Sequence, residues 1–213
     1  LRDPFNILLG FTELLIDNFD SLPDEKMKYY LEQVSASANT GYNLLKNLLD
    51  WSRSQTGQIR FMPQSLKLNS LIESVIQTVR ISAQNKKIII LFDCDKQHIA
   101  NTDENMFRTV LRNLLNNAIK FSFPNSSILV KLNQSEKEHI VSVRDTGIGI
   151  KSTEIQNLFN PGEKTINKGT QNEKGTGLGL TICKDLIETM NGRIWVESEY
   201  GQGTIFSFTV PAN

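Results

Sequence analysis

The sequence predicts an α+β protein in two parts. An N-terminal antiparallel helical hairpin occupies residues 1–60, and an α/β sandwich with a mixed sheet and helices on one face occupies 61–213. Three observations lead there. Up to Ser52 the apolar residues recur at steps of three and four, with one Pro-containing break. After Gly57 the pattern switches between helix-like and strand-like periods. Near the end two strand-like stretches are joined by Gly201-Gln-Gly203 with no helix between them, so that part of the sheet is antiparallel.

Each element follows in order. Phe5, Leu8, Thr12, Leu15 and Phe19 form a heptad seam that Ile7, Phe11 and Leu14 widen, which predicts a bundle helix. A turn around Ser21-Leu-Pro23-Asp24 ends it. A second helix carries Leu31, Val34, Ala38, Gly41, Leu45, Leu48 and Ser52 on one stripe. A lone hairpin cannot bury both stripes, so a second copy of the chain is expected to complete a four-helix bundle. Beyond it the periods predict helices at 69–84 and 103–121 and strands at 88–93, 127–133 and 138–145. A short helix near 151–159, a polar loop to about 174, a helix from Gly177 to Met190, and strands at 192–199 and 203–210 follow.

Composition narrows the class. With 213 residues, 39% of them apolar, and a formal net charge of zero, the chain can bury a sizeable core and lacks the basic stripe of a nucleic-acid binder. No apolar run is long enough for a membrane span, and no signal peptide is visible at the start. Cys94 and Cys183 have no metal-like spacing and read as two reduced thiols, and His98 and His139 do not suggest a zinc site.

The chemistry sits in three stretches. In Asn113-Leu-Leu-Asn-Asn117-Ala-Ile-Lys120-Phe121, helical spacing puts Phe107, Leu111, Leu114 and Ala118 on an apolar face and Asn113, Asn117 and Lys120 on a polar stripe beside it. An amide oxygen suits Mg²⁺ and a lysine suits phosphate; the other reading is a solvated helix face. In Asp145-Thr-Gly147-Ile-Gly149, period 2 places Asp145 on the apolar face of its strand with Val141 and Val143. A buried acceptor there can select the adenine amine, and Gly147 and Gly149 would let the backbone pass close to the base; a simple strand-end turn is the alternative. Gly175-Thr-Gly177-Leu-Gly179-Leu opens a helix whose free amides can hold phosphate. The loop before it, carrying Lys164, Lys168 and Lys174, reads either as a lid or as ordinary solvated charge. Neither a P-loop nor a Rossmann turn fits: Gly162-Glu-Lys164-Thr165 lacks the preceding glycine, and the glycine turn comes late in the chain.

In order and spacing these stretches resemble the N, G1 and G2 boxes of the sensor histidine kinases of two-component systems, with Leu158-Phe159 similar to the F box and Gly201 to Thr204 similar to the final glycine turn. The resemblance runs the length of the chain. It implies a transmitter region: a dimerisation and histidine-phosphotransfer hairpin followed by a GHKL-type, or Bergerat, ATP domain shared with gyrase, chaperone and mismatch-repair ATPases. It implies ATP and Mg²⁺ as cofactors, Asn117 as metal ligand, Asn113 and Lys120 as the catalytic pair, and Asp145 as adenine reader supported by Thr204. Phe121, Gly147, Gly149, Phe159, Lys164, Gly175, Thr176, Gly177, Leu178 and Gly179 would complete the nucleotide contacts. A homodimer, a response-regulator receiver as partner, no nucleic acid and no membrane contact from this segment follow from it. So does a cytoplasmic location, free or as the cytoplasmic part of a membrane-bound sensor.

Departures from the pattern carry their own expectations. The related ATPases place a glutamate where this chain has Asn113; a neutral amide is no base, so the γ-phosphoryl should wait for an imidazole. Leu1-Arg-Asp3-Pro4-Phe5 matches the second half of the phosphoacceptor motif, which puts the accepting histidine two positions before Leu1, so autophosphorylation is not expected of the chain as given. Asp3 stands where phosphatase-active relatives carry Thr or Asn, and Gly162 where many carry a second phenylalanine. A catalytically silent nucleotide-binding scaffold and an anti-sigma-type serine kinase are the alternatives, the latter lacking the long hairpin.

Overall fold

The computed structural model describes residues 2–55, 60–160, 168–171, 173 and 177–212, with backbone alone for residues 2, 3, 43, 44 and 46–55. It divides into two compact units, Leu1–Gln55 and Thr56–Asn213.

The first unit is a pair of helices, α1 (Arg2–Asp17) and α2 (Asp24–Gln55). In the turn between them the Asn18 carbonyl accepts from the Ser21 and Leu22 amides, both at 3.0 Å. Pro23 then precedes α2, and Asp24 and Glu25 set negative charge on the positive end of its dipole. The Phe11 ring packs against Tyr29 and Tyr30, with centroids 6.2 and 5.4 Å away. Gly41 is buried because the Phe5 ring covers it. One expectation needs correcting: Phe19 does not extend the seam, for it lies in the turn after Asp17 and is exposed. The α2 stripe is covered in part, with Val34 and Gly41 shielded and Leu31, Ala38 and Leu45 exposed. One neighbouring helix covers only part of a stripe as wide as this.

The second unit contains β1 (Gln64–Lys67), α3 (Leu68–Asn85), β2 (Ile89–Cys94), β3 (Ile99–Thr102), α4 (Glu104–Phe121), β4 (Ser127–Gln134), β5 (Glu138–Arg144), α5 (Ser152–Ile155), α6 (Gly179–Thr189), β6 (Ile194–Glu199) and β7 (Gly203–Pro211). The main sheet has the order β2-β4-β5-β7-β6. Only β2 and β4 run parallel, because the chain crosses from one to the other through β3 and α4; the remaining pairs are antiparallel. The small sheet of β1 and β3 has no counterpart in the sequence reading, since four-residue strands are too short for a period to show.

Helices α3, α4 and α6 cover one face of the main sheet. Strand alternation sends Ile128, Val130, Leu132, Val141, Val143, Phe206, Phe208 and Val210 inward, where they meet Phe107, Leu111, Leu114 and Ile187. Phe107 and Phe208 meet edge to face within this layer, with ring centroids 5.4 Å apart. Asp103 starts α4 by accepting from the Asn105 and Met106 amides at 2.9 and 3.0 Å. The short helix expected over 151–159 is helical only through Ile155, and α6 begins at Gly179, two residues later than predicted. Gly177 cannot belong to it, because its φ of 72° is left-handed. No helix among the described residues is long and apolar enough to cross a membrane.

Candidate nucleotide site

Asp145 is the centre of the site. It follows the last residue of β5 on the core side of the sheet and is 4% exposed. Its Oδ1 accepts from the Gly147 amide at 2.9 Å and the Thr204 amide at 3.3 Å. Burial nonetheless dominates and pushes the carboxyl up to about 6 against these two donors. Among the described residues the second oxygen, Oδ2, has no hydrogen bond, which leaves an acceptor for a ligand.

Thr204 supports Asp145 through its main chain. Its amide meets Oδ1 and its carbonyl accepts from the Asp145 amide at 2.9 Å. The Thr204 hydroxyl instead pairs with Ser198 Oγ at 2.9 Å. Ser198, which sequence reasoning missed, also donates to the Gly203 carbonyl at 2.8 Å and accepts from the Ile150 amide at 2.9 Å. It ties the loop after Asp145 to the end of β6, and no sequence pattern marks a lone strand serine for that work.

The glycines of this loop have a packing reason beside the one expected. A Cβ on Gly147 would strike the Phe121 carbonyl, and one on Gly149, at φ 66°, the Glu199 carbonyl. The Ile148 amide donates to the Phe121 carbonyl at 3.2 Å. The C-terminus of α4 is thereby fixed to the Asp145 loop, which brings the first two motifs together.

On α4, Asn113, Asn117 and Lys120 are half-buried along one flank, as the spacing requires. The Asn113 side chain faces the start of α6, and on that helix the Cys183 thiol donates to the Val110 carbonyl at 3.9 Å. Burial pushes that thiol up to about 12, so it is inert. Lys120 lies over the Phe121 ring, 4.5 Å from its centroid. Burial lowers its pKa, Glu173 pulls it back up and Lys86 adds to the lowering.

Gly179 opens α6 with no side-chain cap on the helix. Its nearest described neighbours, were it to carry a Cβ, would be Asn113 Cγ and Oδ1 at 3.9 and 4.0 Å, an ordinary contact. Protein packing does not demand glycine here; a side chain would instead fill the space between the α6 N-terminus and the α4 polar flank. That cradle suits a polyphosphate, with the first amides of α6 on one side and Asn113 on the other. Asn117 on the α4 flank carries a neutral amide oxygen, a donor whose chemistry would suit Mg²⁺.

The remaining expected site residues divide. Phe159 packs edge to face on Phe206 at 6.5 Å, a core contact. Gly177 and Leu178 precede α6 and lie outside the helix. Lys164, Gly175 and Thr176 lie outside the described residues, as do Gly162 and Lys174. His98 and His139 form a buried pair away from these motifs, Nδ1 to Nδ1 at 3.2 Å, held by Asp95 and the Ile99 carbonyl.

Residues 102–213, more than half of the chain, match the family model described as histidine kinase-, DNA gyrase B-, and HSP90-like ATPase. Fold and site thus define an ATPase-type nucleotide-binding sandwich. Within that class the chain belongs to the sensor histidine kinases, as a transmitter region. It is 31% identical over 211 residues to the sensor protein SrrB of Staphylococcus aureus, covering 99% of this chain and 36% of that one. It is similar to the structure of histidine kinase ThkA in complex with response regulator protein TrrA, with a TM-score of 0.77 and 25% identity over 100% of this chain and 58% of that one. Full-length ShkA in complex with AMPPNP gives a TM-score of 0.75 and 26% identity over 99% of this chain and 43% of that one.

Proposed function

We propose that this chain binds Mg-ATP and donates the γ-phosphoryl to a histidine just upstream of Leu1, from which the group passes to an aspartate of a response-regulator receiver. The buried Asp145 carboxylate, with one oxygen held by backbone and the other open, is the observation that carries the reading. It accepts from the adenine exocyclic amine and turns away guanine, whose corresponding atom is an acceptor. The α6 amides and Lys120 hold the phosphates, and Asn113, facing Gly179, lies beside them. Asn113 has no basic atom to activate water, so the site favours transfer to a better nucleophile over hydrolysis. Asn117 would hold Mg²⁺, which supplies charge neutralisation on the phosphates. Positioning accounts for most of the remaining rate.

The exposed apolar residues of α1 and α2 support a homodimer through a four-helix bundle, with the hairpin also presenting the accepting histidine and the receiver's docking surface. The complex of ThkA with TrrA and that of ShkA with AMPPNP are consistent with both halves of this scheme. Calorimetric titration with AMPPNP, with and without Mg²⁺ and against a GTP analogue, tests it. Adenine-selective, Mg-enhanced binding is expected. Equal affinity for the guanine analogue, or no binding, overturns the reading.

A further inference from the structure

Lys86, which caps α3, is 4% exposed, a rare state for a lysine. Its ammonium group donates all three hydrogens: to the Ile119 carbonyl at 2.9 Å, the Lys120 carbonyl at 2.8 Å and Glu173 Oε1 at 2.7 Å. The two carbonyls belong to the last turn of α4, where backbone acceptors have no partner within the helix and the dipole is negative. The charge is therefore compensated on every side.

Glu173 is the link from this buried cation to a strap of chain across the end of α4. Its Oε2 accepts from the Gln171 amide at 2.7 Å, and its carbonyl accepts from the Gly169 amide at 2.9 Å. The Thr170 amide donates to the Lys120 carbonyl at 3.2 Å, and its hydroxyl to the Ser122 carbonyl at 2.6 Å. A Cβ on Gly169 would strike Glu173 Oε2 and sit 2.6 Å from Lys120 Cγ and 2.7 Å from the Lys120 carbonyl, so the main chain of the strap rests on both the carboxylate and the lysine's stem. Burial pushes the Glu173 carboxyl up, but the hydrogen bonds from Lys86 and the backbone outweigh it and leave the carboxyl below its ordinary value.

We propose that Lys86 and Glu173 are positioning residues for phosphate binding: through the strap at Gly169 and Thr170 they fix the stem of Lys120 before a nucleotide arrives. The assignment rests on reading the site as a nucleotide site. A lysine carries several rotatable bonds, and ordering them on binding costs affinity; a stem already clamped avoids that cost. Glu173 holds Lys86 by hydrogen bond and Lys120 by charge, so one carboxylate couples the two ammonium groups.

The test is a mutant cycle on the whole chain, read by calorimetry with AMPPNP and with adenosine, which lacks phosphates. Glu173→Gln is chosen because the side chain is one-third exposed and the amide keeps its shape. It should weaken AMPPNP about fivefold to tenfold, the scale of losing one preorganised side chain, and leave adenosine unchanged. Gly169→Ala, whose methyl would strike both Glu173 Oε2 and the Lys120 stem, should do the same. In a Lys120→Ala background both effects should vanish, since no stem remains to be held. Equal losses with and without Lys120, or a parallel loss of adenosine, reduce the strap to a structural role and overturn the assignment. A wild-type chain that binds neither ligand overturns the nucleotide reading itself and this assignment with it.

Discussion

The two units of this chain use the same helical pattern to opposite ends. In the sandwich, α3, α4 and α6 press their apolar faces onto the sheet, and Leu68, Ile72, Phe107, Leu111 and Leu114 have no exposed surface. In the hairpin the apolar faces are spread more widely than one neighbour can cover, and Phe5 (50%), Ile16 (70%), Leu31 (54%) and Leu45 (53%) stay exposed. One unit closes its core within the chain; the other leaves a core half built. The difference teaches that periodicity reports how much surface a helix has to bury, while the count of available neighbours decides whether the burial happens within one molecule.

The largest effect that separates the units should come from Leu111→Ala. A fully buried leucine removed from a packed layer costs about 2–5 kcal/mol, readable as a lower midpoint in urea unfolding. Leu31→Ala in the same assay should cost well under that if the hairpin face is uncovered in a monomer. Next, Leu31→Glu combined with Leu45→Glu should weaken self-association about a hundredfold in sedimentation, from charge placed on an apolar seam, with AMPPNP affinity unchanged. A dimer of undiminished strength would break the comparison, since the exposed stripe would then not be the unfinished core.

Within the sandwich, Asp145→Asn should weaken AMPPNP at least tenfold while leaving stability near the wild-type value at neutral pH. The amide both loses the charged acceptor and offers a competing donor, yet relieves the burial of a charge. Acid should mimic it. With the folded carboxyl at about 6, some nine-tenths of the free protein holds a proton on Asp145 at pH 5, and AMPPNP affinity should fall about tenfold there relative to pH 7. Stability runs the other way: the folded state binds this proton more tightly than the unfolded chain, whose carboxyl titrates near 3.8. The favourable contribution is therefore present below that value and is lost as pH rises through about 6. Calorimetry and unfolding at the two pH values read the opposite signs. The smallest effect belongs to Gly41→Ala. A new methyl 3.3 Å from the Phe5 ring is opposed by the better helix propensity of alanine, about 1 kcal/mol, so the midpoint should hardly move.

Legibility in the sequence followed the range of the interactions. The α4 face with its polar flank and the inward Asp145 were readable because each depends on a repeat within one element. The four-residue strands β1 and β3 carry no such repeat, and their pairing joins segments 35 or so positions apart. At Gly147 and Gly149 the sequence could not show the packing reason, because the carbonyls that exclude a side chain there come from Phe121 and Glu199. Lys86 and Ser198 gave no signal at all: one buried cation and one hydroxyl acquire their meaning only from partners far along the chain. The split of the α2 stripe could not be read either, since sequence spacing does not say which neighbour lies on which side.

The carbonyl of Asp145 excludes a side chain from Gly203, as those of Phe121 and Glu199 do from Gly147 and Gly149. The surroundings of Asp145 are thus a knot of main chain drawn from four stretches. Seen from the ribosome, α4 is made early, but the Thr204 amide that donates to the Asp145 carboxylate emerges 59 residues after it, so this knot is among the last features of the unit to close.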